Sequence, residues 1–144
     1  IAGHDADDSN GAALYGSGAT FALEGTSIEG NESSQGGAVY LYGGGLSLLR
    51  GSTIADNAAD NYGGGIYATG GAAILVDEGA LMRNSAGETG GAVYLSGGST
   101  LESVDGDWGE GADDNAPDDI NSSTAGAFTF GDGATFDCDV DGCR

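Results

Sequence analysis

The 144-residue sequence contains no lysine and only one each of histidine (His4), proline (Pro117), methionine and tryptophan. Its only cations besides His4 are Arg50, Arg83 and Arg144, set against sixteen Asp and seven Glu, and the formal net charge is −20. A protein that neutralises a nucleic-acid backbone needs clustered Lys and Arg, so no nucleic-acid partner is expected. No apolar run approaches the ~20 residues of a membrane-spanning helix, and no basic amphipathic stretch is present to lie on an anionic bilayer. Membrane insertion is therefore not expected either. Large apolar residues are also scarce, with Leu, Ile, Val and Phe filling only 25 positions. Taken as averages, so few of them with so much charge describe a disordered chain. The sequence opens on Ile1 and shows no signal-peptide hydrophobic region, so it reads as a mature or excised piece. The missing leader does not argue for the cytoplasm.

What the chain does have is glycine, 30 residues of it, and a repeat. Gly36-Gly37-Ala38-Val39-Tyr40 recurs as Gly63-Gly64-Gly65-Ile66-Tyr67 and as Gly90-Gly91-Ala92-Val93-Tyr94 at steps of 27 residues, with a looser copy at Gly11-Ala12-Ala13-Leu14-Tyr15. Between these blocks an aliphatic residue stands three positions before an asparagine: Ile28 and Asn31, Ile54 and Asn57, Leu81 and Asn84. A third cluster pairs Phe21 with Leu23, Leu46 with Leu48, Ile74 with Val76 and Leu101 with Ser103. Short period-two clusters between glycine-rich turns are strands, and a helix would not survive this glycine content. Three short strands per 27 residues predict an all-β, single-stranded parallel β-helix, a β-solenoid of four to five coils. The composition then makes sense. Coils stacked ~4.8 Å apart need only about five inward side chains each to build a continuous apolar column. Asn31, Asn57 and Asn84 fall at equivalent places, where amides either stack as a hydrogen-bonded ladder or serve as plain turn residues in solvent.

Over residues 11–104 the alternation of Gly-Gly-Ala-aliphatic with aliphatic-x-x-Asn resembles the paired short motifs of polymorphic outer-membrane proteins and related autotransporter passenger or adhesin repeats. The resemblance implies a right-handed parallel β-helix and a secreted or surface-displayed, non-catalytic module. At the aliphatic position before Asn this chain has Ile, Ile and Leu where those repeats often have Phe.

A single domain is expected, with an N-terminal segment (1–10), regular coils (11–104), an acidic loop (105–119) and a terminal coil and cap (120–144). Trp108 lies 27 residues after Leu81 and is expected to plug the core there. Cys138 and Cys143, near the end of a chain read as exported, predict a disulfide that closes the C-terminal cap. Asp137, Asp139 and Asp141 followed by Gly142 reproduce the D-x-D-x-D-G opening of a calcium loop, without the bidentate Glu at the twelfth position. The competing reading is a solvated acidic cap, and no cofactor is required.

Tyr15, Tyr40, Tyr67 and Tyr94 share one register, each next to an inward aliphatic residue, so alternation points them outward. Such a column either binds a glycan or protein partner or stacks on itself to stiffen the sheet. With no Lys, three scattered Arg and one terminal His, a cleft for polyanionic polysaccharide is hard to assemble, and the chain is read as non-enzymatic. The favoured function is a secreted structural or adhesive module, joined to neighbouring coils of a larger surface protein or stacked end to end with other copies of itself as a filament. The alternative is a carbohydrate-binding module that uses the tyrosine column and the acidic loop.

Overall fold

A computed structural model describes residues 1–123, 128–131, 138–139 and 142–143, the last four and residues 7 and 8 as backbone alone. The chain winds as a parallel β-solenoid. Numbering strands along the chain, the first sheet holds β1 (Asp5–Asn10), β5 (Glu32–Gln35), β9 (Ala58–Tyr62) and β13 (Ser85–Ala86). The second holds β2 (Leu14–Ser17), β6 (Val39–Tyr42), β10 (Ile66–Thr69), β14 (Val93–Leu95) and β16 (Ile120–Ser122), and is closed by an antiparallel pair, β19 (Gly142–Cys143) and β18 (Cys138–Asp139). The third holds β3 (Thr20–Leu23), β7 (Gly45–Leu48), β11 (Ala73–Asp77), β15 (Thr100–Val104) and β17 (Phe128–Phe130); the fourth holds β4 (Ser27–Glu29), β8 (Thr53–Ala55) and β12 (Ala80–Met82). Five parallel rungs in the second sheet make about four turns, and Leu14, Val39, Ile66, Val93 and Ile120 lie one above another.

Each coil thus has four strand positions, one more than the three apolar clusters predict. The extra strand follows the asparagine, and at Ser33, Ala59 and Ala86 it carries small residues that give no apolar pair to notice. The N-terminal segment also holds a strand: Asp5–Asn10 is β1, paired in parallel with β5. Ahead of it Ala2 bridges Glu29. The first strands of the second and third sheets, β2 and β3, are edge strands.

Alternation places one side chain of each neighbouring pair inside. In β6 Val39 and Leu41 are buried while Tyr40 is half-buried and Tyr42 exposed. The column continues through Leu46, Leu48, Ile54, Ile66, Ile74, Val76 and Leu81, with Leu14, Phe21, Leu23, Phe128 and Phe130 partly buried towards its two ends. Fully burying one such aliphatic contributes about 1.5–3 kcal/mol, and stacking lets every coil share its neighbours' apolar surface.

The repeated glycine pair does two separate jobs. The first member, as at Gly63, sits at φ 66°, the left-handed region that glycine enters without a Cβ penalty. The second, as at Gly64, has ordinary φ but no room: a Cβ there would collide with the carbonyl oxygens of Ser85 and Gly91. The corner before each ladder asparagine also turns left-handed, at Gly30 (φ 63°), Asp56 (φ 56°) and Arg83 (φ 53°). The turn is made by the residue preceding the asparagine.

Candidate functional site

Asn31, Asn57 and Asn84 are each 1% exposed and form the ladder, at the corner between the fourth and first sheets. Asn31 Nδ2 donates to Asn57 Oδ1 at 2.9 Å and Asn57 Nδ2 to Asn84 Oδ1 at 3.0 Å. Each oxygen also accepts the backbone N–H of the previous asparagine, at 3.0 Å for Asn31 and 3.2 Å for Asn57. The amides also donate to main-chain carbonyls, Asn57 to Ala55 at 2.9 Å and Asn84 to Ile54 at 2.9 Å. Among the described residues no buried side-chain polar atom lacks a partner. Inside a low-dielectric corner such a chain of amides is mutually polarised.

A fourth rung, Asn115, escapes the sequence reading. It receives Asn84 Nδ2 at 2.9 Å although it lies 31 residues on, not 27. The four extra residues fall between Trp108, which takes Leu81's inward place at 5% exposure, and Asn115. They are accommodated around the 3-10 turn Gly111–Asp113. The next segment is shorter by as much, so Ile120 regains the register of Val93. The stretch 105–119, read as an acidic loop, is therefore largely a coil: Asp107 bridges Ala80 and Ala116 bridges Ser85. Aligning Asn115 with Asn84 across a four-residue insertion would have found it.

In this last coil Asp118 and Asp119 replace the Gly91-Ala92 pair. Asp118 accepts from the Gly90 N–H, from Thr89 Oγ1 at 2.8 Å and from Asn121 Nδ2 at 3.1 Å. Asp119 occupies the inward place of Ala92, 2% exposed, and accepts from Asn115 Nδ2 at 2.7 Å. Burial pushes its carboxyl up to about 7; the hydrogen bonds from Asn115 pull the other way, and Asp114 and Asp118 add to the rise.

Tyr15 (β2), Tyr40 (β6), Tyr67 (β10) and Tyr94 (β14) stack ring on ring, with centroids 5.3, 5.1 and 5.5 Å apart. The register supplies this directly, because strand spacing is close to ring-stacking distance. Tyr62, on β9, stacks on Tyr94 from the neighbouring sheet at 4.8 Å. Burial raises the pKa of Tyr40, helped by Tyr67 and Tyr15; a hydrogen bond with Glu88 raises that of Tyr62. Ring faces turned to one another leave mainly edges and hydroxyls for a partner, apart from the outer face of Tyr15, whose residue is 59% exposed.

Two described arginines also tie coils together. Arg83 grips Asp56 of the preceding coil through Nε and Nη2, both at 2.8 Å, and Asp113 of the following one through Nη1 at 2.8 Å. Its hydrogen bond holds the Asp56 carboxyl below the usual range. Arg50 pairs with Glu78. The outer face of the third sheet carries a groove of about 500 Å³ along Thr20, Gly45, Ser47, Leu75, Thr100 and Glu102.

The remaining predicted sites lie at the C-terminus. Asp137 and Asp141 lie outside the described residues, as do the side chains of Cys138, Asp139 and Cys143, so the calcium and disulfide assignments fall there too. The backbone sets Cys138 opposite Cys143 in the antiparallel pair. Among the described residues no three His, Cys, Asp or Glu side chains are grouped to hold a metal, and no helix is long and apolar enough to cross a membrane.

The Chlamydia polymorphic membrane protein (Chlamydia_PMP) repeat matches residues 51–69. That span runs from β8 through Asn57 and β9 to the Gly63-Gly64-Gly65-Ile66 block and β10, joining both short motifs across two corners of the solenoid. With the solenoid itself, the match fits repeats of the polymorphic-membrane-protein and autotransporter β-helix type. No curated protein and no solved structure matched the chain.

Proposed function

We propose that this chain is a non-catalytic, surface-displayed β-helix module whose work is structural or adhesive. The observation that carries the reading is the surface-protein repeat match on a span holding both halves of the coil motif. The asparagine ladder, the tyrosine stack and the Arg83 ion pairs support it, since each spends its chemistry on the next coil. A stack so braced is a stiff spacer, and its charge opposes side-to-side aggregation. Its setting is extracellular or at the cell surface, and its coiling right-handed.

Its partner is a further coil. Among the described residues β2 and β3 are unpaired on one side, Leu14, Phe21 and Leu23 lie only partly covered, and the outer face of Tyr15 is open. Neither edge strand carries the Lys or Pro that blunts exposed edges. That end accepts either a neighbouring coil of a larger surface protein or another copy of this chain. At the other end, directly opposed residues of an antiparallel pair have Cα atoms about 4.5–5.5 Å apart, within the ~4.4–6.8 Å span of a disulfide, so Cys138 and Cys143 are assigned a bridge. Asp137, Asp139 and Asp141 are the place for calcium should the cap take it; the fold does not depend on it.

Electron microscopy of the purified chain with glycan arrays tests the reading. Short cylinders or end-joined rods without a sugar signal are expected. A specific sugar signal lost in Tyr40→Ala and Tyr67→Ala would replace this reading with a carbohydrate-binding one.

A further inference from the structure

We propose that the groove on the outer face of the third sheet docks an extended, lysine- or arginine-rich segment of another protein. The segment lies along the solenoid axis with its cations on Glu24, Asp77 and Glu102.

The register makes the groove. Alternation turns Thr20, Gly45, Ala73 and Thr100 outward in one column and Ala22, Ser47, Leu75 and Glu102 in the next. Gly45, Ser47 and Ala73 are too small to fill the space above the sheet, and a trough of about 500 Å³ results. It crosses all five rungs of the sheet, from Thr20 on β3 to Thr129 on β17. Rungs ~4.8 Å apart make it roughly 19 Å long, the reach of about six residues of extended chain.

Charge selects the occupant. Glu24, Asp77 and Glu102 stand on the first, third and fourth rungs of this sheet. Asp77 shares the outer side with Leu75, two residues before it, and Glu24 follows Ala22 at the same interval. Glu24 and Glu102 are exposed and Asp77 is half-buried. Arg50, at the corner beyond them, is engaged by Glu78. Among the described residues no three carboxylates are grouped to hold one metal ion, so the arrangement suits separate cations carried on one chain. Across the groove, at the corner that includes Gly44, the exposed Tyr42 lies against Gly70. It adds an aromatic surface of the kind that attracts Lys and Arg.

The same features set other occupants aside. With no lysine, three arginines and a net charge of −20, a second copy brings repulsion and no series of cations. Nucleic acids, anionic glycans and anionic lipids are repelled as well, and a neutral sugar leaves the carboxylates unused. The groove lies on the side of the solenoid, whereas the joining of coils concerns its ends, so either reading can fail alone.

Anisotropy of a fluorescein-labelled Lys-Val-Lys-Val-Lys-Val peptide, titrated with the intact chain at physiological ionic strength, tests the assignment. Glu102→Gln combined with Asp77→Asn should weaken binding roughly three- to tenfold, the worth of two exposed ion pairs. Glu29→Gln combined with Asp60→Asn removes equal charge from the fourth and first sheets and should change it by less than about twofold. Ser47→Tyr, which fills the trough and leaves the charge unchanged, should abolish binding while circular dichroism stays that of the wild type. In the wild type the backbone N–H resonances of Ser47, Leu75 and Glu102 should shift on titration, and that of Asp60 should not. No binding, equal losses in the two double variants, or full binding by Ser47→Tyr would overturn the proposal. Spermine bound as tightly as the peptide would overturn the polypeptide occupant.

Discussion

Replacing Asn57 with Ala tests the ladder at its most enclosed point. The side chain is 1% exposed. Its Oδ1 accepts from the backbone N–H of Asn31 at 3.0 Å and from Asn31 Nδ2 at 2.9 Å, and its Nδ2 donates to Asn84 Oδ1 at 3.0 Å and Ala55 O at 2.9 Å. Truncation strands groups above and below in a dry corner. Carbonyl oxygens have a second lone pair and tolerate the loss best, and Asn31 Nδ2 keeps Glu29 O at 3.1 Å, so the cost concentrates on the backbone N–H of Asn31. A buried unsatisfied group costs about 1–3 kcal/mol, so the loss is roughly 2–3 kcal/mol before any cavity term. For a chain of this size that lowers the melting temperature by roughly 5–10 °C. Urea unfolding followed by circular dichroism measures it, with an unchanged m-value as the sign that the native state is still the solenoid. Asn61→Ala is the control: Asn61 lies on the neighbouring strand, donates to Ser34 and is only half-buried, so its loss should cost about 1 kcal/mol or less. If Asn57→Ala costs no more than the control, the ladder does not brace the stack.

Other substitutions separate the devices. Gly64→Ala should cost more than about 3 kcal/mol or prevent folding, because the new methyl meets main chain of the following coil at Ser85 and Gly91; Gly98→Ala, with open space but φ 77°, should cost only about 1–2 kcal/mol. Parallel thermal melts read both, and equal losses would refute the steric account. Tyr67→Ala removes two stacked contacts and should destabilise by roughly 1–3 kcal/mol, visible in urea melts; a neutral result would mean the tyrosines do not brace the sheet. Cys138→Ser should lower the protection of β16 and leave that of β10 unchanged, read by hydrogen exchange under non-reducing conditions; identical protection would argue against the bridge.

The solenoid was legible because stacking forces residues 27 apart into one environment, and one environment selects one residue type. Val39, Ile66 and Val93 recur for that reason, as do Tyr40, Tyr67 and Tyr94. The fourth strand of each coil was not legible. Its inward residues, Ser33, Ala59 and Ala86, are too small to mark a core by hydrophobicity, and only parallel pairing identifies the segment.

The spacing of motifs along the chain was enough to specify the stack and its register, since these depend on periodicity alone. Three-dimensional packing decided what periodicity leaves open. It chose self-stacking for the tyrosines, because their rings come to rest about one strand spacing apart. It brought Asn115 into the ladder by compensating an insertion with an equal shortening. It also turned Asp119 inward beside Asn115, where the cost of burying charge, a property of the surroundings and not of the residue, governs its protonation.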